Sequence, residues 1–330
     1  MASIDSSKAV PGSAPPATLH ALLRHETVLA LLLVLALAVL ASQSDRFFTL
    51  DNLLNQGRLM TEVSLIALAM TFVIITGGID LSVGSIFGLV AILLGVFWQK
   101  LGVPLPLAMV AALLVGTLAG LVNGLIITRF GVPPLIATLA TLMLYRGLAE
   151  GISQGRSVRG YPEWFLDLAQ GEWLGVPHQL WVFWACALVA AGLLGYTTWG
   201  RATYAIGANE TAARFSGIAT ARTKLLIYSA AGLMAALAAV IFVSRVSTTR
   251  SDMGSGLELD VITAVVLGGT SIFGGRGTIV GTVLGLAVMQ ALKNGLSLAG
   301  VKGDGTIIVI GLILIGAIFI SNLFNKDGER

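Results

Sequence analysis

The chain of 330 residues contains one cysteine, Cys186, set in an apolar run. A single thiol excludes an intrachain disulfide and cannot by itself build a metal site. The phosphate-loop spacing GxxxxGK[ST] is also missing, which excludes ATP hydrolysis by this chain. Charge is scarce. Charged residues are 11% of the sequence, against roughly 25% in soluble domains, too few to cover a water-facing surface. The three histidines, His20, His25 and His178, fall outside the apolar runs, where Asp80 and Glu62 are the chief acidic residues. No row of intramembrane carboxylates and imidazoles of the kind used by proton relays is visible. The net charge of +3 is small and its basic residues are scattered, so nucleic acid is not an indicated partner. Neither catalysis, a metal nor a bound cofactor is expected of this chain.

What is present is hydrophobicity: apolar residues make up 56% of the chain. At about 20 apolar residues per crossing, ten segments are predicted, near 27–43, 59–77, 83–99, 105–128, 132–150, 179–198, 225–244, 260–275, 278–297 and 305–323. The fold class is therefore all-α, a polytopic membrane bundle. With the N-terminus inside, Arg129, Arg201, Arg214, Arg222, Lys224, Arg276, Lys326 and Arg330 fall on the cytoplasmic side, as the positive-inside bias asks. Arg46, Arg58, Arg156, Arg159, Arg245, Arg250 and Lys302 run against it. Residues 1–24 are rich in Ser, Pro and Ala and read as a disordered cytoplasmic tail. Arg24 and His25 then precede an apolar run without a small-residue cleavage site, which favours a retained first helix. The transmembrane domain spans 25–325, with an external loop near 151–178, a cytoplasmic loop near 199–224 and a cytoplasmic tail over 326–330. Aromatics in the external loop, among them Tyr161, Trp164, Phe165 and Trp173, either lie at the membrane interface or seat an external partner.

Two segments are too broken to be plain anchors. Thr76–Ser85 (TGGIDLSVGS) places Gly77, Gly78, Asp80 and Ser82 between apolar stretches, and Leu267–Thr282 carries six glycines, with Gly268, Gly269, Thr270 and Ser271 at its start. Non-helical backbone at membrane depth survives only where protein or a watery cavity satisfies it, so both breaks are expected inside the bundle or at its rim. Gly116, Gly120, Gly124, Gly281 and Gly285, spaced by four, are read as helix-packing positions. The breaks also suggest an inverted internal repeat: Ile74–Ser82 followed by Gly120–Ile126 parallels Val265–Ser271 followed by Ala291–Ser297. Asp80 either caps the following half-helix or orients a substrate hydroxyl, capping being favoured because Asp before Ser and Gly suits it. Asn123 and Asn294 occupy matching repeat positions and either line a pathway or join facing helices. Arg146 and Glu150, four apart, are expected to pair, and Arg276 to anchor a broken segment at the cytoplasmic rim.

The polar passage Gly200–Lys224 has the order of a short helix held by another protein. Asn209 suits an N-cap, Glu210 the positive end of the helix dipole, Arg214 the last turn and Gly217 the C-terminal stop. The enclosed stretch is about two turns, too short to stand alone when isolated helices need roughly 12–15 residues. A docked cytoplasmic helix is a place where force from a soluble engine enters a membrane protein. The candidate coupling residues are Gly200, Arg201, Tyr204, Gly207, Asn209, Glu210, Ala212, Ala213, Arg214, Phe215, Ser216 and Gly217.

Four stretches in order, Gly77–Ser85, Val132–Gly147, Gly200–Ile218 and Leu259–Thr282, resemble the permease subunits of bacterial ABC importers for ribose, xylose, rhamnose and related sugars. The resemblance spans roughly 45 to 320, and Val158–Phe165 is most similar to the rhamnose and furanose-signal branch. It implies a multi-pass inner-membrane protein that works as a dimer with a second permease copy or a related permease. It also implies a separate cytoplasmic ATPase, which hydrolyses the ATP, and a periplasmic sugar-binding protein. The alternative from another class is an ion-coupled secondary sugar transporter with Asp80 or Glu62 as its ion site; a third is a channel or membrane scaffold with no energy coupling.

Overall fold

A computed structural model describes residues 47–301, together with Val34 and positions 303, 305–309, 311, 312 and 315. The expected segment 27–43, much of 305–323 and both tails lie outside the described residues. Helix α1 (Leu50–Ile75) is followed by α2 (Val83–Gly95), which continues as a π-helical turn to Lys100. Then come α3 (Leu105–Arg129), α4 (Pro134–Ser153), the short α5 (Glu163–Gln170) and a two-residue hairpin pairing Glu172–Trp173 with Val176–Pro177. Helices α6 (His178–Tyr196), α7 (Thr198–Ala208), α8 (Glu210–Phe215), α9 (Thr220–Val246), α10 (Leu257–Leu267) and α11 (Ile279–Leu298) complete the set.

Seven of these helices among the described residues are long and apolar enough to cross a membrane. Of the ten expected segments, 260–275 needs correction: its helix stops at Leu267, and residues 268–278 are irregular. α10 has 11 residues, about 16 Å at 1.5 Å per residue, half of a roughly 30 Å hydrocarbon layer. The protein is a multi-pass helical membrane bundle containing half-length elements.

α1 and α9 form its centre. Leu65, Ile66, Met70, Ile74 and Ile75 of α1 are fully buried, as are Ala235, Ala236, Ala238 and Ala239 of α9. Small residues set the approach of the helices. A methyl at Gly120 would strike the Tyr228 carbonyl, and one at Gly232 the Gly116 carbonyl, so α3 and α9 pack backbone against backbone. Gly281 and Gly285 of α11 meet Gly268, which caps α10, and Ala264 of α10 in the same way. The packing role expected for these glycines is the one the bundle uses.

The ends of the bundle differ. At one end α5 covers the C-terminus of α9, where the Ser244 hydroxyl donates to the Phe165 carbonyl and Gln170 donates to the Arg245 carbonyl at 3.0 Å, and the hairpin packs on α1 and α6. Tyr161 stacks on Trp98 with ring centroids 4.6 Å apart and Phe165 is buried, while Trp164 and Trp173 stay exposed. At the opposite end lie α7 and α8. The sequence reading placed one short helix in this passage; α7 is an additional helix, and Gly200, Thr203 and Ile206 on its inner face are buried.

Candidate functional site

The two broken segments begin with the same turn. After α1, the amides of Gly77 and Gly78 donate to the carbonyls of Ile74 and Val73 at 2.9 and 3.1 Å. After α10, Gly269 and Thr270 donate to Val266 and Val265 at 2.9 and 3.2 Å. Gly77 has φ +77° and Gly269 φ +88°, the left-handed conformation that closes a helix in this motif. The equivalence is therefore Gly77 with Gly269, one position later than the sequence alignment of GG with GG. The repeat does not extend to its asparagines. Asn123 Nδ2 donates to the Ser82 hydroxyl of the first break at 2.7 Å, whereas Asn294 Oδ1 accepts from Gln56 of α1 at 2.9 Å. Both asparagines join neighbouring elements.

Asp80 is fully buried in the first break. Its Oδ1 accepts from the Ser82 amide at 2.9 Å and from the Ser82 hydroxyl at 2.7 Å, just ahead of Val83, where α2 begins. Asp80 therefore does not make the expected cap: the cap position is Ser82, whose side chain forms no cap bond, and the carboxylate instead holds the turn that enters the half-helix. Thr138 of α4 donates to the Ile79 carbonyl at 3.1 Å. Glu62, the other candidate ion ligand, is bound to Arg245 at 2.9 Å.

The second break folds onto the end of α1. Gly275 donates its amide to the Ile75 carbonyl at 2.9 Å, and Gly207 of α7 packs so closely that a methyl there would strike that carbonyl. The Tyr204 hydroxyl donates to the Gly277 carbonyl at 2.7 Å. Three chain segments far apart in sequence thus meet at Ile75: the end of α1, the inner face of α7 and the glycine-rich loop 271–277. Tyr204 and Gly207 belong to this inner contact, and Gly200 is buried against the Leu193 and Leu194 carbonyls at the end of α6, so none of the three forms an exposed surface.

α8 stands outside it. Asn209 Oδ1 accepts from the Ala212 amide at 2.9 Å, making the expected N-cap, and Ser216 is the C-cap. Gly217 follows at φ +83°, its amide donating to Arg214 and that of Ile218 to Ala213. Lys224 of α9 pairs with Glu210, which pins α8 to the bundle. Ala213 faces inward and is buried, so it is not on the outer face, where Ala212, Arg214, Ser216 and Gly217 are exposed and Phe215 is 89% exposed. Beside it a cleft of about 650 Å³ opens between Gly131–Pro134 and the start of α9, with Arg214, Arg222 and Lys224 on its wall.

Arg146 does not form the expected ion pair with Glu150: Nη1 donates to the carbonyls of Ser251 and Met253 at 2.5 and 2.9 Å, and Nη2 to that of Gly84 at 3.3 Å. Only the intramembrane position of an arginine on α4 signalled a special role. Among the described residues no group of three or more His, Cys, Asp or Glu side chains is placed to hold a metal ion.

Residues 52–319 match the family described as branched-chain amino acid transport system / permease component. The ribose import permease protein of Escherichia coli is 38% identical over 312 residues, covering 91% of this chain and 94% of that protein. The autoinducer 2 import system permease protein of Yersinia enterocolitica is 39% identical over 296 residues, 88% of this chain and 89% of that protein. No solved structure matches the chain.

Proposed function

The chain belongs to this permease family, and we propose that it is the membrane-spanning subunit of an ATP-driven sugar importer. It forms the translocation pathway and takes its energy from a separate cytoplasmic ATPase. Its relatives covering about nine-tenths of the chain import ribose and autoinducer 2; a small sugar or sugar-like signal is the substrate class. The observation that carries the coupling role is the α7–α8 unit. A six-residue helix, capped at both ends, turns Phe215 to solvent while Tyr204 and Gly207 of the preceding helix touch the second broken segment and the end of α1. Such a helix is too short to be stable alone and presents an apolar knob, which a cleft of a soluble partner would cover.

In this reading α7 and α8 are cytoplasmic and the α5 end is periplasmic, where a sugar-binding protein docks beside Trp164 and Trp173. A second permease copy or a related permease completes the pathway. The ion-coupled alternative loses its ground: Glu62 is paired with Arg245, Asp80 holds Ser82, and the relatives are importer permeases. The test is a cysteine at position 215 in a Cys186→Ser background. Crosslinking to the co-expressed ATPase is the expected result; a position 215 thiol that labels freely and never crosslinks, in a complex that transports, would refute the coupling role.

A further inference from the structure

Between α9 and α10 the chain runs through residues 247–256, and this stretch does not stay at the periplasmic surface. Thr249 is tied to the external loop, its amide donating to the Val158 carbonyl at 3.0 Å while its hydroxyl accepts from the Val158 amide at 3.1 Å. A few residues on, Gly254 lies against Gly84 in the first turn of α2, so closely that a methyl on either would strike the other's carbonyl. α10 then covers only about half of the membrane. The segment from Arg250 to Gly256 is thus irregular backbone descending through the outer half of the bundle, where unpaired carbonyls are costly.

Arg146 meets that need. It sits 12 residues into α4, about 18 Å from Pro134, level with the start of α10. Its planar guanidinium bridges Ser251 and Met253 of the descending segment to Gly84 of α2. Gly88, one turn further along α2, leaves the slot open: a methyl there would strike both the Met253 carbonyl and Arg146 Nη1. We propose that Arg146 is a positioning residue for transport, a three-carbonyl clamp that fixes the descending segment 250–256 and with it the half-helix α10. α10 ends at the second break, which touches Ile75 and accepts from Tyr204. A shift of the clamped segment at the periplasmic side is therefore carried along one rigid half-helix toward the coupling end. That consequence for transport rests on the importer reading; the clamp itself does not.

The experiment is hydrogen–deuterium exchange of the full chain in lipid nanodiscs, comparing Arg146→Gln, Arg146→Lys and Gly88→Ala with the parent. Lysine keeps the charge but is a point donor on a flexible stem that cannot replace the planar fork. The expected result is exchange about tenfold faster or more across 250–257 in both Arg146 variants, with α3 and α9 unchanged. Gly88→Ala gives the same local signature, and adding it to Arg146→Gln brings little further change, since both act on one contact. Full protection in Arg146→Lys would reduce the residue to a simple charge. Unchanged exchange in Arg146→Gln, or equal acceleration in every helix, would overturn the clamp.

Discussion

The hydroxyl of Tyr204 on α7 donates a 2.7 Å hydrogen bond to the carbonyl of Gly277, 73 residues later in the second broken segment. This bond joins the passage that carries α8 to backbone that packs on the end of α1. Tyr204→Phe removes one donor and leaves the Gly277 carbonyl wanting a partner, a change of about 1–3 kcal/mol. Assembly with the ATPase should persist, whereas sugar moved per ATP hydrolysed should fall several-fold. The measurement is the ratio of uptake to hydrolysis in reconstituted vesicles, and an unchanged ratio would show that the bond transmits nothing.

The outer face of α8 gives a second expectation. Ala212 is exposed, and Gly217 holds a left-handed backbone at φ +83° with nothing within 4 Å of the position a methyl would take. Ala212→Glu puts a charge on the docking face, and Gly217→Val strains the turn that ends the helix. Both variants should insert normally and co-purify with at least tenfold less ATPase, about 1.4 kcal/mol of lost affinity. Normal co-purification and transport in both would return this passage to an ordinary loop.

Asp80 is expected to tolerate the loss of its charge. Asparagine keeps an oxygen that can accept from both the Ser82 amide and the Ser82 hydroxyl. Asp80→Asn should therefore retain most transport, while Asp80→Ala leaves the buried Ser82 donors without their acceptor and should cost about 1–3 kcal/mol of stability. Uptake rates and thermal unfolding in detergent separate the two. Inactive Asp80→Asn with normal assembly would mean that the negative charge itself is required.

Packing offers a check that needs no partner. Gly120→Ala drives a methyl into the Tyr228 carbonyl and should cost about 1–3 kcal/mol by forcing α3 from α9. Gly147→Ala, on α4 with nothing within 4 Å, should be neutral or slightly stabilising. Equal unfolding temperatures for the two variants would contradict the close approach of the helices.

Local signals carried the sequence reading well where local chemistry decides the structure. Asn209, Glu210, Arg214 and Gly217 mark the start and stop of α8 within nine residues, and the long apolar runs mark the crossing helices. The sequence pattern does not reveal α7 because its 11 residues include two glycines and no long apolar run, and its burial depends on Gly207 meeting Ile75, a contact that no local pattern encodes. The expected segment 260–275 exceeds its helix because Ile272 and Phe273 prolong the apolar run past the turn at Gly269. Arg146 was given its helical neighbour Glu150, whereas its carbonyl partners Ser251 and Met253 lie 105 and 107 residues away. What stayed hidden is irregular backbone held by long-range hydrogen bonds.

The central claim is that this chain moves sugar on energy supplied by a separate ATPase. Its most direct test is uptake of labelled sugar into vesicles holding this chain and its co-purified partners, with ATP maintained and a protonophore added. Uptake should continue under the protonophore and stop when the phosphate-loop lysine of the partner ATPase is replaced. Uptake that collapses with the protonophore while ATP is held constant, and that survives the lysine replacement, would contradict the account.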